Sequence, residues 1–413
     1  MTDTLKPSPK TGVNLEHAHL LNQRVVLEAV RLYGPISRTK LARLTALTHQ
    51  TAFNITAGLE RTGLIRERGH ESAERGQPAK VFGLNADGAF SIGLRLERDH
   101  LDAVLIDLTG AVRTVVEHTH PYAAPEKAFE DILCAIKALR RKASRKRIWG
   151  VGMALPGPID LQRGGVSFAP HFPFLERVNF QRYLAEKTGL NVLVENDATA
   201  AAIGEGWYGV GRPFKSFFYV YIGVGLGGSL VVDGVPSRGI TGNAGEIGHL
   251  VVDESNSAKG CTCGRKGCLT NYLSLAALSA RVRKSGAPTV GPADLLHLFE
   301  ARNGALLGWL DTAAKHLADA VENLQLLFNP QAFVVGGLLP DELLTYLYQR
   351  CVADLKARTL SRCSSPPQVL QGSLGHIAAA QGAAALPIIE LISPNSEGVT
   401  EGKHLSLVEG WSD

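Results

Sequence analysis

The sequence predicts an α/β protein with a small helical head at its N-terminus and a larger, bilobed body. Two observations lead to this prediction. Residues 1–85 combine short amphipathic helices with a hairpin-like pair of β segments, whereas from residue 90 short strands alternate with helices in two successive mixed halves. A length of 413 residues suits two or three domains. We place the boundaries at 1–85 (head), 86–205 with 375–390 (first lobe), 206–374 (second lobe) and 391–413 (polar tail).

The head has its elements in the order of a winged helix-turn-helix. An apolar stripe at helical spacing runs through residues 20–32, and Ser37 and Thr48 are of the residue types that cap two further short helices. Residues 64–68 and 80–84 then form a two-stranded hairpin, which is the wing. Two short helices joined by a brief turn and followed by a hairpin indicate a winged helix-turn-helix.

The body continues with alternating strands and helices. Short apolar runs bounded by Gly and Asp predict strands, and longer stretches with helical spacing predict helices. The predicted strands are residues 90–96, 101–107, 148–155, 192–194, 217–222, 228–232 and 331–336. The predicted helices are residues 126–141, 180–187, 274–284, 293–300, 305–328 and 338–357. This plan gives two α/β lobes with a cleft between them.

Charge is distributed unevenly between the head and the body. The formal net charge is +4, yet residues 1–85 hold 12 Lys and Arg against 7 Asp and Glu. The remaining residues hold 31 Lys and Arg against 32 Asp and Glu. A basic head on a near-neutral body is the asymmetry expected of a nucleic-acid-binding module joined to another domain.

The helix-turn-helix supplies candidate DNA contacts. Side chains at the start of its second helix are of the types that contact base edges in a major groove, and basic or hydroxyl side chains around the first helix suit phosphates. On the wing, Arg75 beside Gly76 can enter a narrow minor groove. The alternative is a helical domain for protein contacts with merely solvated charges. The candidate base contacts are His49, Gln50, Thr51 and Asn54, and the candidate phosphate contacts are Arg38, Thr39 and Lys40.

Composition argues against several classes of protein. No segment approaches 18 uninterrupted apolar residues, so we expect no transmembrane helix. The first ten residues are polar, which argues against a signal peptide and favours a cytoplasmic protein. Six Cys in 413 residues do not make a disulfide scaffold. Three of them are clustered, and in a reducing compartment such a cluster indicates metal binding first.

That cluster completes a four-ligand set. His249 precedes Cys261, Cys263 and Cys268, and glycines between the cysteines allow the loop to fold tightly. One imidazole and three thiolates form the closed tetrahedral set of a structural zinc, with no open position for catalysis. The alternative is three reduced thiols and an unrelated His.

Polar residues also lie at one strand end and beside two Gly-rich turns. Glu195-Asn196-Asp197 follows a predicted strand, a glycine run occupies residues 223–228, and Glu246 lies three residues before His249. A carboxylate and an amide at one strand end, near a Glu and a His on a loop, provide the donors and acceptors that vicinal sugar hydroxyls require. Each turn alone is a weak signal.

Together these motifs resemble the ROK family, whose name joins repressors, open reading frames and sugar kinases. The resemblance covers roughly residues 22–386. It implies a bilobed, actin-like and sugar-kinase-like (ribonuclease H-like) body with a sugar held in the cleft by Asn196, Asp197, Glu246 and His249. It also implies that His249 gives one ring nitrogen to zinc and the other to a sugar hydroxyl. The matching motifs lie at residues 155–160, 195–198, 223–228, 244–249, 261–268, 334–337 and 382–384.

One departure from the family separates regulation from catalysis. Kinase members carry an Asp-x-Gly-Gly-Thr phosphate turn where this chain has Arg95, Glu97, Arg98 and Asp99 in place of the Asp, the two glycines and the Thr. Without glycines the backbone cannot cradle phosphates, and the acidic side chains repel them. We therefore predict that the protein is not an enzyme and that Asp197, the kinase base, is vestigial. The alternative is a sugar kinase with a regulatory head.

A second departure concerns the ligand. The family often has Glu two residues after the last Cys, near the anomeric end of the sugar, and here that residue is Thr270. The sugar is therefore expected to be unusual or modified. We predict a zinc-containing, sugar-responsive transcriptional regulator, acting as a repressor of sugar-metabolism genes. It would bind double-stranded operator DNA as a homodimer or homotetramer, with a sugar or sugar derivative as effector. A third possibility is a zinc-stabilised DNA-binding protein without a small-molecule ligand.

Overall fold

The computed structural model describes residues 15–72, 78–143, 147–160, 163–169, 172–284, 291–358 and 367–394. Arg75, predicted to contact the minor groove, lies outside the described residues, as does most of the predicted tail. The tail was expected to begin at residue 391, but the last helix continues to Ile392.

The head contains three helices and a three-stranded antiparallel sheet with the strand order β1-β3-β2. The second and third helices are joined by a short turn in which Ala46 takes a left-handed conformation. Thr48 caps the third helix as predicted, since its side chain accepts a hydrogen bond from the Thr51 N–H at 3.1 Å. Ser37 precedes the second helix but its side chain makes no cap bond, because Ser37 is a buried residue of β1. The elements are α1 (Leu15–Tyr33), β1 (Ile36–Ser37), α2 (Arg38–Thr45), α3 (His49–Arg61), β2 (Ile65–Glu71) and β3 (Ala79–Leu84).

The first lobe of the body is built on a five-stranded sheet with the order β10-β7-β4-β5-β6. The strands β4, β5 and β6 form an antiparallel meander, and β7 and β10 run parallel to β4. The elements are β4 (Phe90–Leu96), β5 (His100–Asp107), β6 (Val112–Thr119), α4 (Pro125–Lys142), β7 (Ile148–Leu155), β8 (Ile159–Asp160), β9 (Gly165–Val166), α5 (Phe180–Thr188), β10 (Val192–Asn196) and α6 (Asp197–Tyr208).

The second lobe repeats this topology. Its sheet has the order β13-β12-β11-β14-β15, again with an antiparallel meander followed by two parallel strands. The sequence shows no residue-level repeat, so the duplication is visible only in the fold. The elements are β11 (Phe217–Ile222), β12 (Leu226–Val232), β13 (Val235–Pro236), α7 (Leu275–Arg283), α8 (Pro292–Glu300), α9 (Gly304–Phe328), β14 (Ala332–Gly337), α10 (Asp341–Ala357), β15 (Val369–Gln371) and α11 (Ala378–Ile392).

Two helices connect the lobes and the head. The alanine-rich α6 and α11 pack on each other and on both sheets, in a core that includes Ala154 of the first lobe and Tyr219 of the second. The helix α11 also joins the head, because Ala384 and Ile388 share a core with Val26 of α1. The segment Gly375–Ile392 is apolar enough to cross a membrane by length and composition, but 72% of it is buried inside the protein.

Three long elements, several short strands and two boundaries differ from the prediction. The short strands that were not predicted are β1, β8, β9, β13 and β15. The strand β6 alternates half-buried and exposed residues, so its sequence lacks an apolar run. The helices α6 and α11 are almost wholly buried, and their small apolar residues give no polar face to detect. The predicted boundaries at 205 and 390 fall inside these two helices, so neither is a linker.

The close approach of α6 and α11 requires glycine at position 382, and a substitution can test this. A Cβ added there would lie 1.7 Å from the Ala200 carbonyl oxygen, a backbone atom that cannot move without displacing α6. We expect Gly382→Ala to lower the free energy of unfolding by about 3 kcal/mol or more. Gly308→Ala, on α9 with no atom within 4 Å of the new Cβ, is the control and should stabilise by up to about 1 kcal/mol. Equal urea midpoints for the two variants would contradict this packing.

Candidate functional site

The first part of the candidate site lies where β10 ends and α6 begins. Asn196 caps α6, because its Oδ1 accepts a hydrogen bond from the Thr199 N–H at 3.1 Å. Its Nδ2 donates to the Gly157 carbonyl oxygen and to the Asp197 Oδ1, both at 3.1 Å. Asp197 Oδ1 also accepts from the Ala198 N–H at 2.8 Å. A strand end and a helix start therefore fix both side chains.

Asp197 is buried where β10 meets α6, and this burial affects its pKa. Burial raises its pKa to about 6, against the stabilising effect of the Ala198 N–H, and the charge of Glu246 adds to the increase. The carboxylate therefore lies within electrostatic reach of Glu246, on the other lobe.

The second part of the site is the loop after β13, which carries Glu246 and His249. Gly245 has a φ of 94°, and a Cβ there would lie 2.0 Å from the Gly228 carbonyl oxygen, so only glycine lets this loop approach β12 so closely. A short 3₁₀ turn then places the His249 Nε2 3.8 Å from the Glu246 Oε2. Burial raises the pKa of Glu246.

An ion pair ties this loop to the first lobe. The Arg238 Nε donates to the Glu195 Oε2 at 2.7 Å, and Glu195 is buried in β10 immediately before Asn196. Glu195 is thus a positioning residue for the loop.

A cavity of about 690 Å³ opens beside these residues. Glu246 and His249 line it, while Asn196 and Asp197 lie beyond its lining, next to the Gly157–Pro158 turn that forms one wall. The predicted effector contact Thr270 is half-buried and does not line the cavity. The other lining residues are Pro158, Ser167, Phe168, Asn243, Leu250, Val251, Cys263 and Arg265.

Sequence reasoning missed Phe168, Asn243 and Arg265 as candidate ligand contacts. They come from three separate loops. Phe168 and Asn243 are ordinary loop residues in the sequence, and Arg265 stands between the predicted metal ligands Cys263 and Cys268. Only the packing of the two lobes brings them to one cavity.

The four predicted metal ligands come together. One ligand atom each from His249, Cys261, Cys263 and Cys268 lies within 4.8 Å of the others. The His249 Nδ1 is 3.5 Å from the Cys261 Sγ, and the Cys263 Sγ is 3.6 Å from the Cys268 Sγ. Ligands bonded at about 2.0–2.3 Å in a tetrahedron lie about 3.5–3.8 Å apart, so this donor set fits a tetrahedral metal ion.

The backbone prepares the metal loop for this task. The Cys261 N–H donates to the Arg265 carbonyl oxygen at 2.7 Å, and the Gly267 N–H donates to the Lys259 carbonyl oxygen at 2.8 Å. A hydrogen bond from the Arg265 backbone lowers the pKa of the Cys263 thiol to about 7, which favours the thiolate that binds metal. The His249 Nδ1 faces the thiols. The other ring nitrogen, Nε2, therefore points towards Glu246.

The segment predicted to replace a phosphate turn carries a buried ion-pair cluster with β5. The Arg95 Nε donates to the Asp102 Oδ2 at 2.7 Å, and an Arg95 Nη1 lies 3.7 Å from the Glu97 Oε1. The His100 Nε2 is 3.2 Å from the Asp102 Oδ1. Arg95, Glu97 and Asp102 are each no more than 6% exposed.

Burial in this cluster has a consequence for Glu97. Desolvation raises the pKa of Glu97 to about 7, in spite of Arg95. Between pH 4.5 and 7 the folded protein thus retains a proton that the unfolded chain releases, so stability falls as the pH rises through this window.

We expect the Glu97→Gln substitution to remove the loss of stability that Glu97 causes as the pH rises. The variant should melt higher than the wild type at pH 8, by an amount equivalent to about 1–3 kcal/mol, and the difference should shrink at pH 5. Thermal unfolding of both proteins at the two pH values measures it. A difference independent of pH would show that Glu97 does not titrate in this range.

The head presents a polar face at the start of α3. His49, Gln50 and Asn54 are exposed, and the Gln50 Nε2 donates to the Asn54 Oδ1 at 3.0 Å. Thr51 is half-buried and its hydroxyl lies 2.8 Å from that of Thr48.

The three predicted phosphate contacts differ in their surroundings. Thr39 and Lys40 are exposed at the start of α2, and Lys40 pairs with Glu71 of the wing. Arg38 instead has internal partners. Its Nε donates to the Thr56 Oγ1 at 2.8 Å, and its guanidinium lies over the rings of Phe53 and Phe82. These contacts join Arg38 of α2 to α3 and β3.

Comparison with known proteins places these features in context. Residues 91–389 match the sequence profile described as "ROK family". A protein named "Xylose repressor" from Caldicellulosiruptor bescii is 27% identical over 336 residues, which is 77% of this chain and 83% of that protein. A "Glucokinase" from Thermotoga maritima is 35% identical over 203 residues, covering 45% of this chain and 63% of that protein.

A solved structure extends the likeness of fold to the head. The crystal structure of a ROK family transcriptional regulator, described as a homolog of the E. coli MLC protein, superposes with a TM-score of 0.74. It is 24% identical and covers 92% of this chain and 98% of its own. The likeness concerns the fold.

Proposed function

Because this chain belongs to the ROK family, with a bilobed α/β body of the sugar-kinase type, we propose that it is a sugar-responsive transcriptional repressor of sugar-metabolism genes. The observation that carries the proposal is the exposed polar start of α3 on a head that shares a core with the body. A protein named "Xylose repressor" is among its relatives, and the match covers 77% of this chain.

The head is proposed to be a winged helix-turn-helix that places α3 in a major groove. Gln50 and Asn54 suit bidentate contacts with adenine, while His49 and Thr51 flank them. Thr39 and Lys40 would contact phosphates, and Arg75 of the wing the minor groove. A homodimer or homotetramer would present two such heads to a double-stranded, pseudo-palindromic operator in the cytoplasm.

The effector is proposed to be a sugar or sugar derivative held between the lobes. Its hydroxyls would donate to the carboxylates of Asp197 and Glu246 and accept from the Asn196 amide and the His249 ring, with Thr270 nearby. A zinc ion, bound by His249 and the three clustered cysteines, would hold the ring of His249 with Nε2 towards the sugar. With four protein ligands, this ion is structural and takes no part in a reaction.

The buried cluster around Arg95 is the reason for proposing binding without phosphoryl transfer. A phosphate turn needs backbone N–H groups that a nucleotide can approach. Here the Arg95 side chain pairs with Asp102, and Glu97 brings a second buried carboxyl group. Moving these groups aside for a nucleotide would leave buried charges unpaired.

A sugar kinase with a regulatory head is the second candidate. The pKa of Asp197, raised to about 6 by burial, is in the range that a general base uses, and a glucokinase is among the relatives. An assay for ADP release over hexoses and N-acetylhexosamines separates the two. ADP release that disappears in the Asp197→Asn variant would establish that the protein is a sugar kinase. It would overturn the proposal of a repressor without catalytic activity.

The helix α6 offers a route from the sugar to the head. It begins at Asp197 in the site and ends at Tyr208, about 18 Å away at 1.5 Å per residue. Near its end the Trp207 ring lies 4.0 Å from the Arg31 guanidinium of α1. A sugar that favours one arrangement of the lobes would thus bias the position of α1 and the spacing of the two heads.

Operator binding by the full chain tests the proposed function. The zinc-loaded protein would be mixed with its own upstream DNA at 50 and 200 mM salt, with xylose, glucose, N-acetylglucosamine and the disaccharides xylobiose, cellobiose and N,N′-diacetylchitobiose. We expect specific binding that falls steeply with salt and is weakened by at least one sugar. Binding equal on scrambled DNA, or unaffected by every sugar, would contradict the proposal.

A further inference from the structure

We propose that the effector is a disaccharide or glycoside, with a second ring seated in the cavity between Phe168 and Val251, outside the ring held by Asn196, Asp197, Glu246 and His249. This inference rests on the proposed function and specifies the class of ligand. Its basis is the size, position and lining of the cavity.

The cavity is larger than one sugar ring requires. Its volume of about 690 Å³ corresponds to about 20 water molecules at about 30 Å³ each. A single hexose of 12 non-hydrogen atoms at ordinary packing density would fill roughly a quarter to a third of it. A single ring therefore leaves most of this volume free, and the cavity has room for a second ring.

The cavity also lies to one side of the predicted sugar contacts. Glu246 and His249 line it, whereas Asn196 and Asp197 do not. The Gly157–Pro158 turn separates the two regions, because the Gly157 carbonyl accepts from the Asn196 Nδ2 while Pro158 lines the cavity. A ring that bonds to all four residues thus sits at the edge of the cavity and leaves its larger part open.

The walls of this outer part have the chemistry of a sugar subsite. Phe168, Leu250 and Val251 are large apolar side chains that are 51%, 40% and 41% exposed, and exposed apolar side chains grouped around a cavity mark ligand sites. An aromatic ring packs against the apolar face of a pyranose. Around them the planar polar groups of Asn243 and Arg265 are available for hydroxyls at the ring edge.

The two sides of this subsite come from different lobes. Ser167 and Phe168 follow β9 of the first lobe, and Leu250, Val251 and Arg265 belong to the metal loop of the second. A second ring would therefore contact both lobes at once and stabilise one arrangement of them, which is what an effector must do.

Calorimetric titration of the zinc-loaded full chain tests the inference. The ligands are xylose, glucose and N-acetylglucosamine, each paired with its β-1,4 disaccharide: xylobiose, cellobiose and N,N′-diacetylchitobiose. We expect at least one disaccharide to bind tenfold or more tightly than its own monosaccharide. Phe168→Ala should weaken that disaccharide at least tenfold and change the binding of the monosaccharide less than twofold. Phe328→Ala, an exposed aromatic side chain on α9, is the control and should change neither.

The outcomes separate the inference from the proposed function. If monosaccharides bind as tightly as their disaccharides, or if Phe168→Ala weakens both equally, the second subsite is wrong while the sugar-responsive regulator stands. If none of the six sugars binds, both the subsite and the proposed function are overturned.

Discussion

Replacing Gln50 and Asn54 together by alanine is expected to lower operator affinity by about 10²–10⁴-fold. Each side chain can make a bidentate contact with a base, and such a contact contributes about 1–3 kcal/mol of discrimination. Both are exposed on the first turns of α3 and bond to each other, so their effects should not add simply. Alanine favours helix, so α3 should stay folded.

The control for this variant is a similar pair on the body. On α9 the Gln325 Nε2 donates to the Asn329 Oδ1 at 2.6 Å, with the same residue types and spacing. Gln325→Ala with Asn329→Gly, chosen because Asn329 has a φ of 45°, should leave operator affinity unchanged. Fluorescence anisotropy on operator and scrambled DNA measures both variants. If the variant with Gln50→Ala and Asn54→Ala keeps the operator affinity of the wild type, α3 is not the helix that contacts the bases.

The second large effect is expected from Cys263→Ser. Loss of one thiolate from a four-ligand set should reduce bound zinc from about one per chain to almost none at neutral pH. Without the ion, His249 loses its fixed orientation, and sugar binding should fall about 10–100-fold. Operator binding without sugar should persist, because the head packs on α11, away from the metal loop.

Cys134→Ser is the matched control, since Cys134 is exposed on α4 and outside the cluster. It should retain both zinc and the sugar response. Metal content by atomic absorption and sugar affinity by calorimetry are measured on the same samples. Full zinc content in the Cys263→Ser variant would exclude the four-ligand site. Full sugar affinity in a variant without zinc would show that sugar binding does not depend on the metal.

The sequence was most informative where neighbouring residues decide the outcome. Apolar periodicity located most strands and helices of the body, and the Thr48 cap and the Cys-x-Cys loop were recognisable because their partners lie a few residues away. The strand β6 and the helices α6 and α11 were missed, since their environment, rather than their own pattern, determines them. The role of α6 and α11 as the contact between the lobes follows from the fold alone.

Tertiary partners explain the remaining differences at the site. Arg38, a predicted phosphate contact, also contacts Thr56 and the rings of Phe53 and Phe82, which come from α3 and β3. In the same way Phe168 and Arg265 are almost 100 residues apart and meet only when the lobes pack. Local sequence does not encode such neighbours.

The most direct test of sugar-controlled DNA binding is a measurement of reciprocity on one preparation. The operator affinity is determined with and without a saturating amount of the sugar that binds best, and the affinity for that sugar with and without saturating operator. We expect both affinities to fall by the same factor, about 5–150-fold, because a coupling free energy between two sites is shared. Glu246→Gln should weaken sugar binding and leave the operator affinity without sugar unchanged. If the sugar and the operator bind the same molecule and neither changes the affinity for the other, sugar-controlled DNA binding is contradicted.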